Sequence, residues 1–395
     1  MDAVIPRPGP RNHTVYEVFL DNERTEIPSW AVQLFIPAFF CTGVLSLLPP
    51  PGSVRVIIGL TAFTTMWWYT VTHWTGDGSF MTGPMFAFPI TLRWAFMVLR
   101  GTPETDYFPL QARDEKPTGP SDLTTLRKLK WSMDLWCSWR GVGWNWELPG
   151  LRKSSSGNTS RLRFVLAQIF WVAANLAAAQ LITRFSFCPL YPSSNTVQAF
   201  LLAPLWQQYA ISATQLVLST RFLDSTYRVF AIIAVSLGLS APESNPPCFG
   251  SLADAYSVRQ FWGKYWHQMF RKVFNAAGEM FAQAVGAEKG TLLSRYLKTY
   301  AGYITSGAMH AVPGLFVRHS SPLWSLTNLL HMPFYAMIVT AEDVLKAGGR
   351  RLGIRDSALI RIVGYVWTAF WVPFIYRYAF VFYIDIGFCD GVCPA

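Results

Sequence analysis

His310 lies in Tyr303-Ile304-Thr305-Ser306-Gly307-Ala308-Met309-His310-Ala311-Val312-Pro313, and no Asp, Glu, Lys or Arg occurs between Lys298 and Arg318. An imidazole in an apolar run of near-membrane length is costly unless it faces a cavity or a partner. A neutral imidazole in such a place can take a proton from a hydroxyl, which is general-base work. Taken alone, the run suits at least as well a core histidine bonded to the hydroxyl of Thr305 or Ser306. A second stretch, Ser257 to Lys272, carries Phe261-Trp262-Gly263-Lys264-Tyr265-Trp266-His267. Read as a helix, it puts Phe261, Lys264, Tyr265 and Gln268 on one side and Trp262, Trp266, Met269 and Phe270 over another. Lys264 and Arg271 then sit two turns apart on one face, where they and Lys272 can pair with phosphates or a 3'-phosphorylated nucleotide. An amphipathic helix anchored at an interface by its aromatics fits the same residues.

The elements that position these side chains follow from composition. The 395-residue chain is 51% hydrophobic and only 14% charged, and holds 17 Trp and 29 Phe. Soluble domains carry about 25% charged residues, so the expected fold class is an all-α, polytopic integral membrane protein. Spanning helices need about 20 apolar residues. Clear candidates are 30–48, 53–74, 163–182, 199–219, 324–345 and 359–384, with weaker ones at 83–99, 226–240 and 300–317. The expectation is about eight transmembrane helices in one domain, 30–395, after a polar segment, 1–29, without a cleavable signal. The first apolar run then acts as a retained signal-anchor.

The net charge of +10 is concentrated in loops, chiefly 100–162 and 346–361. That is the positive-inside pattern, with no stripe that would read nucleic acid. Both loops are expected in the cytosol and residues 1–29 in the lumen. Asn12 would then be a usable glycosylation acceptor and Asn158 a silent one. Within the long loop, Ser121-Asp122-Leu123 reads as a helix start, and the Trp-rich stretch from Trp131 to Trp146 as a segment lying in the interface, with Trp144 as an anchor. The six Cys form no zinc or redox pattern, and no metal is expected. Cys389 and Cys393 flank an Asp-Gly turn where a pair is conceivable, although unpaired cysteines are the default expectation. One tension is built in. If 199–219 and 226–240 both cross, the Phe261 stretch starts in the lumen, whereas its basic residues ask for the cytosol. A re-entrant run or a helix hidden in 273–290 would resolve it.

The motifs resemble a known family. Phe261-Trp262-Gly263-Lys264-Tyr265-Trp266-His267 is similar to the Phe-Trp-Gly-Arg-Arg-Trp-Asn box of plant-type wax synthases. Thr305 to His310 resembles the small-residue segment bearing their active-site His, and the 43 positions from His267 to His310 suit that family. Arg140-Gly141-Val142-Gly143-Trp144-Asn145 and Ala341-Glu342-Asp343 resemble further segments of the same proteins, so the likeness covers roughly residues 130–345. The fungal branch, which acylates hydroxyls of secondary metabolites such as meroterpenoids and trichothecenes, is the most similar, within the membrane-bound O-acyltransferases (MBOAT). The resemblance implies an O-acetyltransferase of the endoplasmic reticulum with acetyl-CoA as co-substrate, no bound cofactor, and an apolar terpenoid-like alcohol as acceptor. It implies His310 as base, His267 as its partner at the reacting carbonyl, and Lys264, Arg271, Trp262, Trp266, Ser306 and Asn145 around the substrates. One departure stands out: the family's box has Asn where this chain has His267. A ring N–H can donate to a thioester oxygen as an amide does, or the ring can itself serve as acid or base.

Rival readings remain. A long-chain wax-ester synthase differs only in acyl length. A proton-coupled transporter would use His310 and His267 along a proton path, but neither inverted repeats nor several intramembrane carboxylates are visible. His73-Trp74-Thr75-Gly76-Asp77-Gly78 matches the short His-x-x-x-Asp-Gly box of soluble acyltransferases, yet it directly follows an apolar run and reads as a turn. Glu342 and Asp343 read as helix-end acids, Glu342 one turn from Lys346.

Overall fold

The computed structural model describes residues 25–75, 82–110, 124–151, 159–192, 194–317 and 321–393. Ten longer helices build it: α1 (Ser29–Leu45), α2 (Ser53–Thr72), α3 (Thr82–Val98), α4 (Thr125–Cys137), α5 (Arg161–Ile182), α6 (Leu205–Ser236), α7 (Arg271–Ala284), α8 (Leu292–Ala311), α9 (Pro322–Arg351) and α10 (Ala358–Asp385). Among the described residues the only sheet pairs two parallel two-residue strands, β1 (Thr25–Glu26) and β2 (His73–Trp74). Local chemistry marks the helix ends. Ser160, Thr291 and Ser357 accept hydrogen bonds from the N–H groups of Arg163, Ser294 and Ile360, the N-cap arrangement, at the starts of α5, α8 and α10. Gly353, at φ +75°, ends α9 in the left-handed region that favours glycine.

Among the described residues two large apolar cores result, with a third small cluster of Phe164, Ala231 and Val235. One gathers Phe39, Phe63, Trp94, Leu135 and Trp136 from α1–α4. The other gathers Phe200, Ile211, Tyr335, Val372, Phe380 and Phe382 around α6, α9 and α10. By length and composition two helical stretches among the described residues are apolar enough to cross a membrane, Arg161–Phe187 and Ala358–Asp385, and Leu34–Leu45 is a shorter apolar helix. α5 packs on α6 and turns Leu166, Phe170, Leu176 and Leu181 outward. Such a belt is unfavourable against water and at home against lipid.

The two ends of the bundle differ. At one end Arg55 and Lys128 meet Glu104, Arg100 bonds Gln283 at 2.8 Å, and Arg140 donates to the carbonyls of Pro246 and Pro247 at 2.7 and 2.6 Å. Burial alone would raise the Glu104 carboxyl, but the Arg55 hydrogen bond and the charges of Arg55 and Lys128 hold it below its usual value. At the other end lie the β1–β2 pair, the Thr75–Val317 bridge, the bond from Ser321 N–H to Asp385 at 2.7 Å, and a disulfide between Cys188 and Cys393.

Four expectations are corrected here. Residues 199–219 and 226–240 are not two crossings, because one helix, α6, runs unbroken from Leu205 to Ser236 across most of both. Arg221, Asp224 and Arg228 interrupt the hydropathy, not the helix. Asn175 of α5 donates to Asp224 at 2.8 Å and accepts from Arg221 at 3.1 Å, and Arg228 pairs with Asp224 one turn away at 2.6 Å. Residues 257–272 are not one helix either. A short turn at Val258–Gln260 widens into a π-turn at Phe261–Tyr265 and then breaks at the extended Trp266. The hidden helix of 273–290 is α7. Cys393 pairs with Cys188, leaving Cys389 buried and free. Trp144 is buried in the first core, not an interfacial anchor. Ser121-Asp122-Leu123, Asn12, Asn158 and the Gly76-Asp77-Gly78 part of the His73 box lie outside the described residues.

Candidate active site

His310 occupies the last turn of α8, where Pro313 cannot continue the helix and the chain tightens into a 3₁₀ turn at Val312–Leu315. α8 runs antiparallel to α9. Arg295 meets Asp343 at 3.2 Å, Tyr300 meets Thr340 at 3.2 Å, and Asn328 Nδ2 donates to the His310 carbonyl at 2.6 Å. Gly307 sets the spacing, since a Cβ there would overlap the Leu329 carbonyl oxygen. That contact explains the small-residue run before His310.

His267 arrives differently. The Glu342 carboxylate of α9 accepts from the N–H groups of Val258 at 2.6 Å and Arg259 at 3.2 Å. It thereby fixes the start of the turn that carries the Phe261 box. Inside the turn Gln268 Nε2 donates to the carbonyls of Trp262 and Trp266, and Arg271 Nη1 to that of Gly263 at 3.1 Å. α7 then returns alongside α8, with Gly278 against the backbone of Lys298. Residues 258–284 therefore form a hairpin that enters and leaves at the basic end of the bundle. His267 sits near its tip, its ring 5.8 Å from that of Phe270. Phe270 meets Phe86 of α3 at 5.6 Å and Trp139 at 5.3 Å, so this tip lies in the seam between the two cores.

The hairpin that carries His267 packs through α7 against α8, which carries His310. Both histidine side chains are half-buried. Among the described residues, Nδ1 of each is buried without a hydrogen-bond partner, and the alternative bond from His310 to the hydroxyl of Thr305 or Ser306 is not made. Thr305 bonds back to the Ala301 carbonyl at 2.8 Å, and Ser306 is buried. The indole of Trp262 packs on Tyr335 at 4.8 Å, and its Nε1 is also unpartnered.

The other candidates divide. Trp266 stacks on Phe261 at 5.7 Å within the hairpin. Lys264 points outward, 4.0 Å from Asp254, while Arg271 is held by the hairpin backbone, so the two do not share a helical face. Asn145 is not brought to the histidines. It braces its own loop, donating to the Asp106 carbonyl at 2.9 Å and accepting from Phe108 N–H at 3.1 Å. His73 stacks on Tyr69 at 3.9 Å with Nδ1 bonded to the Tyr69 carbonyl. Two cavities lie elsewhere: a small one, about 30 Å³, walled by Arg93, Tyr107, Trp139, Trp146 and Lys272, and an open one of about 700 Å³ beside Asn195, Trp324 and Asp385. Glu342 is more than a helix-end acid, and His331, with its ring 5.9 Å from that of His310, was not singled out at all. The uncharged run between Ser320 and Glu342 carried for His331 the same signal that marked His310.

A buried imidazole nitrogen on α8, with a second imidazole on the neighbouring hairpin, suits removal of a proton from a hydroxyl during group transfer. The comparisons agree. Residues 245–332, which contain the hairpin, His310 and His331, match the family described as membrane bound O-acyl transferase. The chain is 40% identical over 377 residues to acetyltransferase sirH of Emericella nidulans, covering 94% of this chain and 88% of that protein. It is 32% identical over 271 residues to acetyltransferase ple2 of Rhodocybe pseudopiperita, 68% of each. It is 30% identical over 283 residues to O-Mevalon transferase yanI of Aspergillus niger, 65% of this chain and 63% of that protein. No solved structure matches. A likeness of that extent, over residues that build this site, makes the chain a member of the membrane-bound O-acyl transferase family and an acyltransferase.

Proposed function

We propose that this acyltransferase moves an acetyl group from acetyl-CoA to a hydroxyl of an apolar, terpenoid-like secondary metabolite within the membrane of the endoplasmic reticulum. The observation that carries this reading is the pair of imidazoles, His310 and His267, each with a buried Nδ1 that has no partner among the described residues. The names of sirH and ple2 support the acetyl group. In this reading His310 takes the proton of the hydroxyl as its oxygen attacks the thioester carbon. A ring N–H of His267 donates to the carbonyl oxygen as charge develops there. The C–O bond forms, the C–S bond breaks, and His310 returns the proton to the CoA sulfur, leaving an acetate ester and free CoA. General-base help is worth about 10²–10⁴-fold and an oxyanion donor about 10²–10³-fold.

The same proposal has eight crossings: α1, α2, α3, α5, α6, α8, α9 and α10. The hairpin of residues 258–284 is re-entrant from the cytosolic side. The merging of two apolar runs into α6 supports this count, because it returns the Phe261 box to the side of the basic loops. The Cys188–Cys393 disulfide at the opposite end supports a lumenal face there, since disulfides persist in oxidising compartments. Lys264 and the basic loops then meet the CoA phosphates, while Trp262 and Trp266 wall the path inward.

Membranes containing the chain, incubated with labelled acetyl-CoA and a panel of apolar alcohols, should yield a labelled ester. Label transfer only from long-chain acyl-CoA would replace this reading with a wax-ester synthase.

A further inference from the structure

Among the described residues no carboxylate bonds His310, as one commonly does a catalytic imidazole, and its Nδ1 has no hydrogen-bond partner. An imidazole that gains a proton becomes a cation with two N–H donors, and the one not facing substrate needs an acceptor. His331 of α9 is placed to supply it. Its ring is 2% exposed and stands 5.9 Å from that of His310, tilted by 66°. Its Nδ1 is 2.5 Å from the Asn328 carbonyl oxygen. A carbonyl can only accept, so the proton is on Nδ1 and Nε2 is left as a lone pair. Asn328, fully buried, also donates its side-chain amide to the His310 carbonyl at 2.6 Å. One residue thus holds the backbone of the first histidine and the tautomer of the second. The close α8–α9 approach at Gly307 keeps both in place.

We infer that His331 is the positioning residue of the base, accepting a hydrogen bond from His310 at its own Nε2. At the observed separation the bond is made through one water or a small ring rotation. His331 does not touch substrate. It selects the tautomer of His310 and stabilises the imidazolium formed as the hydroxyl loses its proton. This rests on the acetyl-transfer reading above.

The test compares His331→Leu, which fills the space without an acceptor, with His331→Gln, which keeps a donor and an acceptor. Both are assayed as full-length protein in membranes, with yield and monodispersity in detergent recorded. His331→Leu should lower kcat by about 10- to 100-fold, with KM for acetyl-CoA and alcohol changed by less than about twofold. His331→Gln should recover much of that loss. A wild-type kcat in His331→Leu would overturn the inference. So would equal losses in both variants together with reduced yield, which would make His331 a packing residue. Wild-type membranes that transfer no acetyl group to any alcohol would instead overturn the acetyl-transfer reading itself.

Discussion

Lys264 and Arg271 share a basic charge but not an environment. Lys264 stands outward at the hairpin, while Arg271 spends its guanidinium on the Gly263 carbonyl and the Gln268 side chain. Removing each should therefore do different things. Lys264→Ala should raise KM for acetyl-CoA about two- to fivefold, the modest worth of an exposed charge contact, with kcat unchanged. Arg271→Ala should lower the yield of folded protein, because it leaves turn carbonyls without a donor. Kinetics on purified variants separate the two. An unchanged acetyl-CoA KM in Lys264→Ala would remove this side chain from the donor site. The types of these residues were legible in the sequence. Their orientations were not, because a π-turn replaced the regular helix on which the shared face depended.

At the scale of elements, α9 organises the site more than its sequence suggested. Glu342 reaches across to cap the hairpin, Asn328 grips the end of α8, and Asp343 draws in Arg259 and Arg295. Glu342→Ala would strand two backbone N–H groups, at a cost of about 1–3 kcal/mol each if they stay buried. The expected result is lower thermal stability in detergent and a fall in kcat, both partly restored in Glu342→Gln, whose amide oxygen can still accept. Stability and turnover like wild type in Glu342→Ala would show that the hairpin holds itself. Most helices were readable from apolar runs near spanning length, including the weaker stretches that became α3 and α8. α6 was misread because hydropathy counts Arg221, Asp224 and Arg228 as interruptions, whereas α5 supplies their partners. The 258–284 hairpin was not readable from periodicity, because its long-range anchor, Glu342, lies far along the chain.

At the scale of the whole molecule, the proposed orientation puts the disulfide in the lumen and the basic loops in the cytosol. Cys188→Ser and Cys393→Ser should lower stability by about 2–5 kcal/mol each, and the double variant no further, as members of one bond do. Additive losses would deny the pairing. A glycan on Asn12 and none on Asn158 in microsomes is the expected outcome for sidedness, and a glycan on Asn158 would invert it. Position 188 offered no local signal for its partner, because the two cysteines meet only when α10 has packed against the chain end of α5. In the proposed function the whole bundle holds His310 as the base for acyl transfer. The most direct test is turnover of labelled acetyl-CoA by His310→Ala beside wild type, at equal amounts in the membrane. A loss of about 10²–10⁴-fold in kcat is expected. Turnover near wild type would contradict the account.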